Sequence, residues 1–292
     1  MYMKALRFLA FLLLFSFNPA FGQEVIRTSG PEQGLVEFMS YPQPKAPPIS
    51  AHRGGGFPGY PENCLESFAH ISQQAHVLIE CDVRMTADSV LMLMHDASLD
   101  RTTTGTGLVT AFNWSDLDSL RLLDSDEKPT EFLIPSLEQT LRWAKANKVI
   151  LTLDVKRGVP FERVVTAIND IEAHSIAAVI TYNLTDASHV YELDSSLLIS
   201  VGMRNEEEYN WAMGSGIPPR NMIAFTGTRL SDPVLYEKIH EQGILTIMGT
   251  MGNLDGMAEA KGDTLYKEWQ KMGVDIFSTD RPIEAYEALK KE

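Results

Sequence analysis

Two histidines and three carboxylates stand at or near the ends of short β-rich runs, where a folded sheet would bring them together. Ala51-His52-Arg53 opens into Gly54-Gly55-Gly56, a turn in which backbone can approach a ligand closely. Glu80-Cys81-Asp82 has the i, i+2 spacing that aims both acids at one face of a strand. Asp154-Val155-Lys156 repeats the pattern with a carboxylate and an ammonium. Converging carboxylates repel one another unless a cation sits among them. An all-oxygen donor set suits Ca²⁺ or Mg²⁺, and no Cys/His cluster has zinc spacing. His52 and His95 supply groups that titrate near neutrality, as proton transfer requires. Taken singly, the charged residues would serve as well in an ion-pair network, and the histidines as packed rim residues. Their joint placement at strand ends favours a site.

The elements that must position these groups alternate between β and α along the whole chain, the pattern of a parallel sheet with crossover helices. Strands are expected at Pro48–His52, Val77–Val83, Val90–His95, Val149–Lys156, Ala177–Tyr182, Leu197–Met203, Met222–Thr226, Gly243–Met248 and Val274–Thr279. Helices are expected over Leu65–Ala75, Ser136–Asn147, Phe161–His174, Asp232–Gln242 and Gly262–Met272. Nine strands are one too many for an eight-stave (β/α)8 barrel. The second and third are too close for a crossover helix, so they are expected to form an antiparallel hairpin turning near Ala87-Asp88-Ser89. A two-residue loop at Ala87-Asp88 would set Glu80 opposite His95, and one at Asp88-Ser89 would set Asp82 there. Either register predicts His95 beside both carboxylates.

The chain of 292 residues is the right length for one TIM barrel, about 250 residues, preceded by a leader. Lys4 and Arg7 precede the apolar run Phe8–Phe17, and Ala20-Phe21-Gly22 supplies small residues for cleavage, the order of a secretory signal peptide. That run is too short for a bilayer core, which takes about 20 residues. Residues 1–22 therefore read as a signal peptide, 23–48 as an extended, Pro-rich lead-in, and 49–292 as a single barrel of an exported, periplasmic or secreted protein. A net charge of −14 argues against nucleic acid, whose phosphates are held by Lys and Arg, and against docking on anionic lipid. Cys64 and Cys81 would be able to pair after export, but two small buried hydrophobes is the more economical reading.

The ordered motifs also resemble a known family. His52-Arg53-Gly54, Pro61-Glu62-Asn63, Glu80-Cys81-Asp82-Val83, His95-Asp96 and Leu99-Asp100-Arg101-Thr102-Thr103-Thr104-Gly105-Thr106-Gly107 are similar to those of glycerophosphodiester phosphodiesterases. Ile134-Pro135-Ser136-Leu137-Glu138, Asp154-Val155-Lys156, Gly273-Val274-Asp275 and Thr279-Asp280-Arg281-Pro282 continue the series, so the resemblance spans His52 to Pro282. The chain departs from the family pattern at Cys64, where Thr is usual, and at Asp154, where Glu is usual. It also has Ile247-Met248 in place of a Trp-Thr pair.

The resemblance implies a (β/α)8 barrel with a small insertion, Ala97 to Phe132, after the hairpin. It implies hydrolysis of a small glycerophosphodiester, with Glu80, Asp82 and Asp154 holding one divalent cation. Arg53 and Lys156 would bind the phosphate, and His52 and His95 would act as the acid–base pair. A substrate hydroxyl would attack phosphorus to give a cyclic phosphate, which water then opens. Tyr182, Arg204 and Phe225 are candidates for the pocket wall, whereas Arg101 and Gly105–Gly107 are expected to shape a loop. The alternatives are an inositol-diester-selective enzyme, a sphingomyelinase-D-like enzyme that stops at the cyclic phosphate, or a barrel that binds a head group or sugar without turnover.

Overall fold

A computed structural model describes residue 31 and residues 34–43 and 45–290. The segment read as a signal peptide lies outside the described residues. Eight parallel strands close into a barrel: β1 (Ile49–Ala51), β2 (Val77–Met85), β4 (Leu151–Val155), β5 (Ala177–Ile180), β6 (Leu198–Gly202), β7 (Met222–Phe225), β8 (Thr246–Gly249) and β9 (Ile276–Thr279). The β1–β2 and β1–β9 pairings complete the ring. The expected (β/α)8 TIM barrel is the observed fold, and the ninth strand, β3 (Leu91–Leu93), pairs outside the ring, antiparallel to β2.

Strand periodicity sorts the side chains between two environments. On β2, Ile79, Cys81 and Val83 face the helices in the main core, while Leu78 lies in a second cluster with Ile150, Ala178, Leu198, Ile223, Leu245, Ile247 and Ile276, drawn from β4 to β9 or the residue just before the strand. This inner cluster fills the barrel, and Leu35 and Met39 plug its lower end. They lie in and just after α1 (Leu35–Phe38), so the stretch read as extended lead-in includes a helical turn that seals the barrel.

Four of the crossover helices begin at side-chain caps. Ser136 and Gln139 form a reciprocal capping box at the start of α3 (Leu137–Asn147). Asn183 and Asn205 cap α5 (Leu184–Leu193) and α6 (Glu206–Met213), and Asp232 with Pro233 starts α7 (Pro233–Glu241). Helices α2 (Leu65–Gln74) and α4 (Phe161–Ile171) lie where the sequence places them. Between β8 and β9 the chain forms two helices, α8 (Asn253–Lys261) and α9 (Leu265–Lys271), where one was expected, and α10 (Pro282–Lys290) closes the fold.

The hairpin register differs from both expectations. Val83 pairs with Leu93, Arg84 with Met92 and Met85 with Leu91, so extending the ladder sets His95 across from Cys81 rather than Glu80 or Asp82. The cause is a three-residue loop. Thr86 and Val90 close it, and only Ser89 has a left-handed φ, +67°, whereas a two-residue type I′ turn needs two such residues. The insertion after β3 makes a small core of its own from Met94, Leu99, Val109, Leu117, Leu122 and Ile134. Both cysteines are free and fully buried, Cys81 in the main core and Cys64 against the insertion.

Candidate active site

Glu80, Asp82 and Asp154 converge at the C-terminal end of the barrel, each offering an oxygen within 4.8 Å of the others. The register explains why: Asp82 and Asp154 are direct partners on adjacent parallel strands, and Glu80 lies one pleat below. All three are buried. Lys156 Nζ reaches Asp82 Oδ1 at 2.6 Å and Asp154 Oδ2 at 2.5 Å. Asn63 donates to Asp82 Oδ2 at 2.7 Å and accepts from its backbone N–H. Burial opposes ionisation of Asp82, yet Lys156, Asn63 and Arg53 together hold its carboxyl below the ordinary value. Among the described residues Glu80 has no ammonium against it, and burial with Asp82 alongside pushes its carboxyl up to about 8.

A divalent cation fits these residues. Asp154 Oδ1 is buried without a hydrogen-bond partner among the described residues, and an orphaned anionic acceptor is costly unless a cation satisfies it. With Glu80 ionised, three carboxylates against Lys156 and the more distant Arg53 make a net negative cluster of hard oxygen donors, the chemistry that Ca²⁺ and Mg²⁺ select.

Arg53 is bent towards the same cluster by its backbone. It adopts φ +54°, which for a non-glycine residue stores strain of about 1 kcal/mol or more. That conformation directs its N–H to Glu80 Oε2 at 2.8 Å, while its guanidinium lies 3.6 Å from Asp82 and hydrogen-bonds Glu62. Gly54 follows at φ +76°, where a Cβ would stand 2.2 Å from the Phe68 ring. The turn after β1 therefore needs glycine.

Both histidines are held through Nδ1 by a carboxylate, His52 by Asp280 at 2.7 Å and His95 by Asp96 at 2.6 Å. A carboxylate only accepts, so each Nδ1 carries the hydrogen and each Nε2 is left for other chemistry. His52 Nε2 lies 4.0 Å from Glu80. Burial works against its charged form, but the Asp280 hydrogen bond and the Glu80 charge raise its pKa overall. His95 is tied to the cluster by a chain of ion pairs: Asp96 to Arg101, Arg101 to Glu62, Glu62 to Arg53, Arg53 to Asp82. Arg101 thus fastens the insertion to the barrel mouth, consistent with a loop-shaping part.

Of the candidate wall residues, Tyr182 and Phe225 line a cavity of about 120 Å³ shared with His52, Glu80 and Asp154. The Tyr182 hydroxyl donates to Asp154 Oδ2 at 2.8 Å. Arg204 is not brought into that cavity. Glu208 pins its guanidinium one turn along the chain, and it lines two grooves beyond the mouth, sharing one with Tyr182. Glu62, Asn63, Asp96, Arg101 and Asp280 were visible as motif members, but beyond Asp96 beside His95 nothing local assigns their partners.

The family model for glycerophosphoryl diester phosphodiesterases matches residues 52–284. A solved glycerophosphoryl diester phosphodiesterase from Parabacteroides distasonis is 34% identical with a TM-score of 0.79, over 87% of this chain and 90% of that one. The glycerophosphodiester phosphodiesterase of Caldanaerobacter subterraneus is 23% identical over 252 residues, 83% of this chain and 98% of its own length. An Oleispira antarctica phosphodiesterase, solved with the product sn-glycerol-3-phosphate, shares the fold at 20% identity and a TM-score of 0.67, over 84% of this chain and 98% of that one.

Proposed function

The chain belongs to the glycerophosphoryl diester phosphodiesterase family, and from that premise we propose that it cleaves small glycerophosphodiesters to an alcohol and glycerol 3-phosphate with the help of one divalent cation. The carrying observation is the union of a three-carboxylate cluster with His52, whose Nε2 lies 4.0 Å from Glu80 while Asp280 holds Nδ1.

Glu80, Asp82 and Asp154 would hold the cation. Bound there, Ca²⁺ or Mg²⁺ supplies charge for a phosphate oxygen and acidifies a hydroxyl beside it. Arg53 and Lys156 contact the same carboxylates and would offset charge that grows on the phosphoryl oxygens. The substrate hydroxyl next to the diester attacks phosphorus as one histidine accepts its proton at Nε2. The bond to the alcohol breaks and the other histidine protonates the departing oxygen. Water then opens the cyclic phosphate with the two histidines exchanging roles. Tyr182 and Phe225 form the wall against which the glycerol carbons pack.

The leader motif in residues 1–22 supports an exported enzyme acting outside the cytoplasm. Among the described residues no helix is long and apolar enough to cross a membrane. The test is to incubate the pure protein with glycerophosphocholine, glycerophosphoethanolamine and glycerophosphoinositol, with and without chelator, following products by phosphorus NMR. Glycerol 3-phosphate and the free alcohol, lost on chelation, are the expected result. A cyclic phosphate as the final product would instead mark a lyase-like enzyme, and no cleavage of any diester would overturn the proposal.

A further inference from the structure

The crossover between β8 and β9 contains two helices where a barrel stave needs one, and the first of them buries a carboxylate. Asp255 on α8 is 3% exposed and, among the described residues, has no Lys or Arg as a hydrogen-bond partner. Its carboxylate accepts from Tyr266 Oη at 2.8 Å, from Thr279 Oγ1 at 2.8–2.9 Å and from the Asp280 backbone N–H at 2.8 Å. A buried charge is costly unless fully hydrogen-bonded, and this one spends two of its three donors on adjacent residues. They are the end of β9 and the residue that holds His52.

The grip on this segment continues on its far side. Thr279 Oγ1 also accepts from the Arg281 N–H at 2.9 Å, and Arg281 pairs with Asp263, between α8 and α9, at 2.6 Å. Asp280 is therefore bracketed by two contacts from the same helical pair. Its own side chain is 54% exposed, and an exposed aspartate on an unfixed backbone would sample several rotamers in water. Its bond to His52 Nδ1, 2.7 Å long, depends on where the backbone stands.

We propose that Asp255 is a positioning residue for catalysis: through Thr279 and the Asp280 backbone it fixes the carboxylate that sets the orientation and tautomer of His52. The inference rests on His52 being catalytic. Asp255 touches none of Glu80, Asp82 and Asp154 in any described hydrogen bond or ion pair, so its shortest described route to the site runs through Asp280 and His52.

The test compares the full-length enzyme with Asp255→Asn, which keeps the shape but removes the charge and one acceptor. The expected result is a kcat lowered by about tenfold to a hundredfold, the scale for a small misplacement of a reacting group. KM and Ca²⁺ affinity should stay within about twofold of the parent. Proton and nitrogen NMR should show the His52 Nδ1–H resonance broadened or lost. Should Asp255→Asn fail to fold, Thr279→Val, which removes a donor at similar volume, is read by the same measurements. An unchanged kcat in a folded variant overturns the proposal, as does a lowered kcat with the His52 resonance intact. The NMR readout needs no turnover. A fully active His52→Ala protein would refute the catalytic reading by itself, while the resonance would still report whether Asp255 holds the ring.

Discussion

Binding of a divalent cation to Glu80, Asp82 and Asp154 is expected to expel a proton from Glu80. Burial, with Asp82 and Asp154 alongside, raises that carboxyl from 4.5 to about 8 in the cation-free protein, and a metal ligand must be ionised to bind. Below about pH 8 each unit by which the pH falls then weakens binding about tenfold, or about 1.4 kcal/mol. Between about pH 7.5 and about pH 6 the dissociation constant should rise about 25-fold, with close to one proton released per ion at the lower pH. Titration calorimetry in buffers of different ionisation enthalpy counts that proton directly. The linked stability has a definite sign. The folded protein binds a proton that the unfolded chain does not between about pH 4.5 and 8. The Glu80 contribution to stability without cation should therefore fall by about 1.4 kcal/mol per unit as pH rises through that window, the difference between the parent and Glu80→Gln reading it out. Saturating Ca²⁺ should cancel the fall. Glu80→Gln should bind weakly and with no pH slope over this range. Equal affinity at the two pH values, no proton release, or the same slope in Glu80→Gln would refute the reasoning.

Three further outcomes are expected. His52→Ala and His95→Ala should each lose about 10²- to 10⁴-fold in turnover while melting at the parent temperature; losses below tenfold in both would remove them from proton transfer. Replacing glycerophosphocholine with its 2-deoxy analogue should abolish turnover, since the attacking hydroxyl and an effective molarity of about 10⁵ M or more go with it; comparable rates would show that water attacks first. Gly54→Ala should destabilise the protein by about 1–3 kcal/mol, because a Cβ would meet the Phe68 ring at 2.2 Å on a residue at φ +76°. An unchanged melting temperature would show that the turn relaxes freely.

The barrel was legible in the chain because its determinants are local. Nine β-rich runs, all but the second and third at crossover spacing, admit few topologies, and all nine strands appear where the sequence places them. The inward aim of Glu80, Asp82 and Asp154 was legible for the same reason: a side-chain period of two holds in any strand. Helices were less so. Gly252-Asn253-Leu254-Asp255-Gly256 is poor in helix formers, and α8 stands because its buried face packs in the barrel wall. Pairing between distant segments belonged to tertiary structure alone. One residue in the β2–β3 loop decides which residue faces His95, and whether Ser89 takes a left-handed φ is settled by the strands around it. Asp280 meets His52 across 228 residues, and Asp255 meets Thr279 and Asp280 across 24 and 25. A hydrogen bond of that span has no local signature, since either partner read alone is an ordinary polar residue. Residue types and strand period determined which chemistry the barrel carries; closure of the barrel, which brings β9 beside β1, decided that Asp280 holds His52.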